Sequence, residues 1–341
     1  MYLLTLDQPV NKVRYFFWFI LGCVSVFFAE VVSGSQIYPF FNLIDYILVL
    51  PLYTLHTLVL GYLVYRNTRP TLYTLFSAGA LYGLYEAYIT KVLWNPPWGT
   101  NTTMFLGVAV FETLLLVLFW HAFLAFIVPI FLVETTLTSS RELIQGLPLT
   151  LAKKIEYIQR KKLHVVLVFL AGLFQGGNSP SILDSLLSGL SSGGFLIALI
   201  LLWKRIGGLN YSFRSLLPTE KEFKTLSLAL LVYYIVTTAL LRPGELPGLV
   251  PQLVIWVMYV IFGVFLYMGL KKSRVDQPNG SDLEFSANIM NMVVLTVVFT
   301  LGSIFGVATG IGSVFMLVVW FVGTIIGLVT LVYTVRNIFH G

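Results

Sequence analysis

Long apolar runs separated by short polar stretches fill this chain almost end to end. A helix that crosses a bilayer needs about 20 mostly apolar residues. Ten runs approach that length: 15–33, 43–65, 71–93, 104–133, 163–178, 182–203, 225–241, 252–270, 286–307 and 312–335. The run at 104–133 is long enough to predict a tilted helix. The run at 163–178 is short and ends in QGGNSP, a composition that suits a tight turn or an unwound stretch. The pattern predicts an all-α fold, a polytopic transmembrane helix bundle with about ten spans.

The basic residues test that reading. With the N-terminus in the cytoplasm, 19 of the 21 lysines and arginines fall on the cytoplasmic side of the ten spans, and only Lys91 and Arg242 fall outside. This is the bias the positive-inside rule predicts. Both termini are therefore expected to be cytoplasmic, in a protein integral to the cell membrane. The first run has basic flanks and small residues at Ser33-Gly34-Ser35, but it is long for a signal-peptide core and Glu30 precedes the would-be cleavage site, so it reads as a span.

Composition agrees. Of 341 residues, 57% are hydrophobic and only 11% are charged, too few charges to cover a soluble surface. The net charge of +6 is scattered between apolar runs, so it reads as a topology signal and no nucleic-acid partner is expected. A single cysteine, Cys23, excludes an internal disulfide and a cysteine metal cluster.

The chain divides into three parts. Residues 1–135 hold four aromatic-rich helices with most of the intramembrane charge. Residues 136–162 form a basic cytoplasmic linker. Residues 163–341 hold six smoother helices rich in Gly, Ser and Val. Within the linker, LPLTLAKKIEYIQRKK puts Leu151, Ile155 and Ile158 on one face and basic residues on the other, which fits either an interfacial helix or a plain linker. No internal repeat is visible.

Acidic residues at membrane depth are costly and usually face a cavity or a partner. Counting ~1.5 Å per residue, Glu30 lies ~22 Å along the first span and Glu86 ~22 Å along the third, while Glu112 lies ~12 Å and Asp45 ~3 Å down from the outer ends of theirs. All four fall in the outer third of the bilayer. They are expected to form an outward-facing binding layer with Tyr82, which shares the Glu86 face, and with Lys91 nearby. Thr90 also shares that face. Lys91 is rotated by about 140° from Glu86 and is expected to reach the headgroups beside Trp94 and Trp98. His56 and His121 are candidate proton-relay residues, because imidazole titrates near neutral pH, or hydrogen-bonded packing groups. Counted from Met104, His121 lies ~25 Å down its span, too far from Glu112 to pair with it.

Ser181 and Asp184 open the sixth span with a capping pattern. Gly302, Gly306 and Gly310, and likewise Gly189 and Gly193, form small-residue stripes expected at close helix contacts. Asn101-Thr102-Thr103 is a formal glycosylation sequon. No phosphate loop, dinucleotide fingerprint or zinc motif is present, so no cofactor is expected and no metal ligand set is assigned. A few residues resemble intramembrane glutamate proteases of the CAAX-processing class, which carry Glu-Glu-x-x-x-Arg, then Phe-x-x-x-His, then His-x-x-x-Asn or Asp. Glu86 and Lys91 have the outer spacing of the first motif. Ala87, Lys91 and Val117 depart from it, and no later His-x-x-x-Asn or Asp exists. The resemblance assigns no family.

Three functions fit: a carrier of a small solute or cation, favoured for its many spans and small extramembrane mass; an intramembrane enzyme with a glutamate general base acting on lipid or peptide; and a non-catalytic membrane subunit. Membrane lipid and a small-molecule or cation substrate are the expected partners. The sequence leaves the oligomeric state open.

Overall fold

A computed structural model describes residues 10–66, 68–96, 102–273 and 288–340. The chain is an all-α polytopic bundle. In order, it forms α1 (Asn11–Val26), continued by a π-helical turn at Phe27–Val31, then α2 (Leu43–Tyr65), α3 (Leu72–Gly83) and α4 (Tyr85–Tyr88). A two-stranded hairpin, β1 (Met104–Phe105) and β2 (Val108–Ala109), leads into α5 (Val110–Glu112), a π-helical segment at Thr113–Ile127, and α6 (Val128–Leu137). Two short helices follow, α7 (Glu142–Gly146) and α8 (Leu149–Arg160). The remaining helices are α9 (His164–Gly176), α10 (Ile182–Arg205), α11 (Phe213–Leu216), α12 (Glu220–Leu240), α13 (Leu249–Ser273), α14 (Ile289–Thr309) and α15 (Ile311–His340).

Eight helices among the described residues are long and apolar enough to cross a membrane, against the ten expected. The difference lies in two runs. The run at 71–93 breaks at Leu84 into α3 and α4 and leaves helical geometry after Tyr88. The run at 163–178 gives only the 13 residues of α9, ~20 Å at 1.5 Å each, short of a ~30 Å hydrocarbon core. The run at 104–133 also changes: its first residues fold as the hairpin, so the helix starts at Val110 and extends to Leu137.

Local chemistry sets the helix starts. Asn42 caps α2, Ser181 caps α10 and Asn288 caps α14, each through its side-chain oxygen. Thr71 with Thr74 and Thr219 with Glu222 form capping boxes at α3 and α12. Gly310 does not extend the packing stripe of Gly302 and Gly306. It ends α14 in a left-handed conformation (φ +70°), with open space where a side chain would be.

Burial separates a core from a periphery. In α2 and in the Val110–Leu137 helix 61% and 67% of the apolar window is buried, whereas α12 buries 6%, so α12 sits at the periphery. Glycines allow the closest approaches. A Cβ on Gly79 would sit 2.6 Å from Ala122 Cα, and one on Gly83 would sit 2.8 Å from Val117 Cα, which seats α3 directly on the π segment. A Cβ on Gly22 would sit 1.9 Å from Thr54 Oγ1, which seats α1 on α2. The same device joins α9 to α14 through Gly172, Gly176, Gly302 and Gly306.

Polar ties fasten both ends. At one end Arg14 pairs with Glu222, and Trp18 Nε1 donates to Leu216 O at 2.7 Å. There Glu134, fully buried, accepts from Tyr65 Oη and from Leu143 N (3.0 Å), and Arg214 bridges Glu142 and the carbonyls after α2. At the other end Asn178 Nδ2 donates to Ser33 O at 2.9 Å, and Tyr38 Oη to Asp184 Oδ1 at 3.1 Å. The linker contains α8, with Ala152 buried, Leu151 and Ile155 packed inward, and Lys153 and Lys154 exposed.

Candidate functional site

Three of these glycine contacts converge on one place. Gly22 brings the end of α1 to α2, so Glu30, in the π turn, meets Tyr53. Gly79 and Gly83 bring α3 to the π segment, so Tyr85 and Glu86, just past the Leu84 break, meet His121. Irregular helical backbone of this kind inside a span is often found at functional sites.

The side chains form a hydrogen-bonded chain from Ser35 to His121, with Glu86 in contact at its end. Ser35 Oγ donates to Glu30 Oε2 at 2.5 Å, and Tyr53 Oη donates to Glu30 Oε1. Tyr53 Oη lies 3.3 Å from Tyr85 Oη, and Tyr85 Oη lies 2.9 Å from His121 Nε2. His121 Nε2 is 3.2 Å from Glu86 Oε1, and Thr90 Oγ1 donates to Glu86 Oε2. Tyr53, Tyr85 and His121 are almost wholly buried, and Glu86 is 7% exposed. Glu30 is half-buried and forms the wetter end.

Counting hydrogens fixes what this chain can do. His121 Nδ1 lies 3.0 Å from Leu116 O, which can only accept, so Nδ1 carries a proton. In a neutral ring Nε2 is then an acceptor. The Tyr53 hydrogen is committed to Glu30, so the single Tyr85 hydrogen serves either His121 or Tyr53, and one link stays empty. A proton on Nε2 fills every link from His121 to Glu30 and places an imidazolium against the Glu86 carboxylate. With the ring neutral, Nε2 accepts either from Tyr85 or from a protonated Glu86, and the hydroxyls lead on to a second carboxylate.

A second imidazole repeats the design. His56 Nδ1 lies 2.8 Å from Leu52 O, and Nε2 lies 2.9 Å from Tyr234 Oη on α12. Its ring stacks on Tyr82, with centroids 4.4 Å apart and planes 4° apart. Tyr82 thus sits between the two histidines, 5.7 Å from the His121 ring.

Of the residues expected to form the acidic layer, Glu30 and Glu86 are joined. Glu112 is bonded elsewhere: its Oε1 accepts from Thr102 Oγ1 at 3.0 Å beside the hairpin. Asp45 is buried in the first turn of α2 and takes no part in the chain of hydroxyls. Lys91 is fully buried and does not reach headgroups. In a left-handed conformation (φ 61°), it donates to Thr238 O at 3.0 Å and to Leu241 O, closing the C-terminus of α12. A cation there complements the helix dipole. Arg242 completes the tie by donating to Thr90 O at 2.7 Å. Trp98 and Asn101 lie outside the described residues. No group of three or more His, Cys, Asp or Glu suited to a metal ion occurs among the described residues.

Tyr53, Tyr85, Ser35 and Tyr234 belong to the site but carry no sequence signal beyond their apolar surroundings. The Glu86–His121 contact had a readable clue. Leu106-Gly107 between two apolar pairs marks a turn. Starting the helix after it, at Val110, moves His121 up by ~9 Å, towards the level of Glu86.

Comparison with known proteins places the chain in a family. The chain belongs to an uncharacterized membrane protein family, whose model matches residues 19–340. A protein of Archaeoglobus fulgidus, described as an uncharacterized protein, is 34% identical over 279 residues, covering 80% of this chain and 84% of the relative. No solved structure matches the chain. The protein is a multi-pass integral membrane protein.

Proposed function

We propose that this membrane protein is an intramembrane hydrolase, with Glu86 and His121 as the general base that activates water against an ester or amide carbonyl of a bilayer-resident substrate. The 3.2 Å contact between Glu86 Oε1 and His121 Nε2, with Nδ1 fixed on Leu116 O, carries the reading. A positioned base of this kind contributes about 10²–10⁴-fold to a rate. In the step, the water oxygen bonds to the carbonyl carbon while its proton passes to the Glu86–His121 pair. Collapse of the tetrahedral intermediate breaks the acyl bond, and the same proton goes to the leaving oxygen or nitrogen. Glu30, through Tyr53 and Tyr85, exchanges protons with the wetter end of the bundle.

The test uses the full chain in lipid nanodiscs with membrane lipids and transmembrane peptides in H₂¹⁸O. Mass spectrometry should find ¹⁸O in a product carboxylate with the native chain, and about 100-fold less or none with Glu86→Gln and His121→Ala. Equal yields from all three proteins would defeat the assignment.

A carrier reading draws on the whole run of groups Glu30–Tyr53–Tyr85–His121–Glu86 instead of on the Glu86–His121 contact alone. Two carboxylates joined by such a path suit proton-coupled movement of a small solute or cation. Its sign would be pH-dependent uptake into liposomes that Glu86→Gln abolishes, with no ¹⁸O product.

A further inference from the structure

The corner between α8 and α9 carries a lysine where the backbone favours glycine. Leu163 N donates to Ile158 O at 2.9 Å and Lys162 N donates to Gln159 O at 3.1 Å, so α8 ends in a Schellman motif. The left-handed residue of that motif is Lys162 (φ 54°). Glycine is the unstrained choice at such a position. Lysine adds backbone strain there, and in return it holds a charge at a fixed corner.

That charge is not isolated. Arg160, Lys161 and Lys162 are consecutive and all exposed, and Lys153 and Lys154 stand exposed two turns earlier on α8. Glu156 is the sole acidic residue between Glu142 and Asp184, and it pairs with Arg160. The four lysines therefore have no acidic complement within their own segment. Hydrocarbon surface begins at the next residue. Leu163, Val166 and Leu167 are exposed, and their spacing puts them on one face of α9. Gly172 and Gly176 occupy the opposite face, closed against α14. The apolar stripe thus points away from the bundle, and its first residue follows Lys162 directly.

We propose that the α8–α9 corner binds an anionic phospholipid, with the headgroup on Arg160, Lys161 and Lys162 and an acyl chain along Leu163, Val166 and Leu167. Charge complementarity commits the upper part to an anion. The stripe that follows commits the ligand to a molecule that continues as hydrocarbon. A soluble acidic peptide would use the lysines and leave the stripe bare. A zwitterionic lipid would use the stripe but bring its own cation to the lysines. Basic clusters beside a spanning helix enrich anionic lipid by about fivefold per cation. The site is separate from the Glu86–His121 centre and does not depend on the reaction assigned to it.

The experiment uses the full chain in phosphatidylcholine nanodiscs with a trace of phosphatidylglycerol or phosphatidylcholine that carries a diazirine in one acyl chain. Photolabel on residues 163–167, mapped by mass spectrometry, should be at least about fivefold higher with the phosphatidylglycerol probe. The triple variant Arg160→Gln/Lys161→Gln/Lys162→Gln should bring the two probes level. Salt at about 1 M, which shortens the screening length to about 3 Å, should do the same. Lys221→Gln/Lys224→Gln, which removes exposed charge from α12, should leave the preference intact. Lys162→Gly should lower the preference while leaving the detergent-unfolding midpoint unchanged or higher, which separates lipid binding from a purely structural role. Equal label from both probes on the native chain, or a preference that survives in the triple variant, overturns the assignment. A soluble acidic peptide that binds the native chain but not the triple variant, with no lipid preference, gives the surface to a protein partner and overturns it as well.

Discussion

Gly172→Ala and Gly194→Ala are the same chemical change in neighbouring helices, and the structure predicts opposite outcomes. A Cβ on Gly172 would lie 2.0 Å from Phe299 O and 2.9 Å from its carbonyl carbon. Both obstacles are backbone of α14, so no rotamer change relieves them. Restoring an ordinary 3.4 Å contact means moving α9 and α14 apart by about 1.4 Å along a seam that Gly176, Gly302 and Gly306 also keep tight. Overpacking of this kind costs about 1–3 kcal/mol, and backbone contact puts it near the upper end. The better helix propensity of Ala offsets about 1 kcal/mol. Gly172→Ala should therefore destabilise by about 2 kcal/mol. Gly194 has nothing within 4 Å of its Cβ position, so Gly194→Ala keeps only the propensity gain of about 1 kcal/mol. Unfolding of the purified protein by a denaturing detergent, followed through tryptophan fluorescence, should separate the variants by about 3 kcal/mol. Equal shifts, or shifts of the same sign, would refute the packing argument.

Further outcomes follow from single contacts. Lys91→Met removes the donors that close α12 and should cost about 1.5–3 kcal/mol, read as faster hydrogen exchange over residues 237–245. Unchanged exchange there would show that α12 ends without the lysine. Glu134→Ala leaves Tyr65 Oη and Leu143 N without their buried acceptor and should cost about 3 kcal/mol, with Glu134→Gln milder, measured by the same detergent titration. Tyr53→Phe cuts the path between Glu30 and His121 and should slow ¹⁸O incorporation about tenfold. Native turnover in that variant would detach Glu30 from the chemistry.

The fold class was readable because lipid imposes one rule on the whole chain, that backbone polar groups be satisfied within helices. The apolar runs therefore locate the elements, and Thr71, Thr219 and Ser181 mark helix starts that the structure uses. Span length was less readable at Leu84 and at Gly107, where the chain leaves helix within apolar sequence. The site was legible in part. Charge at membrane depth pointed to Glu30 and Glu86, because such groups need partners. The partners themselves are tyrosines, which amphipathic patterning cannot tell from ordinary packing aromatics. Lys91 shows the converse: a residue that reads as an interfacial anchor is drawn inward by the free carbonyls of a helix 147 residues later in the chain.

The π-helical stretch from Thr113 to Ile127 ties the site to an exact residue count. Its carbonyls are paired five residues on, and the Leu116 oxygen that orients His121 lies five residues back. Losing one residue between Glu112 and His121 turns everything beyond it by about 100° relative to what precedes. His121 would then face away from Glu86 with every side chain still present. Descendants of this gene can exchange letters in that stretch, but an insertion or deletion there disassembles the centre in one step.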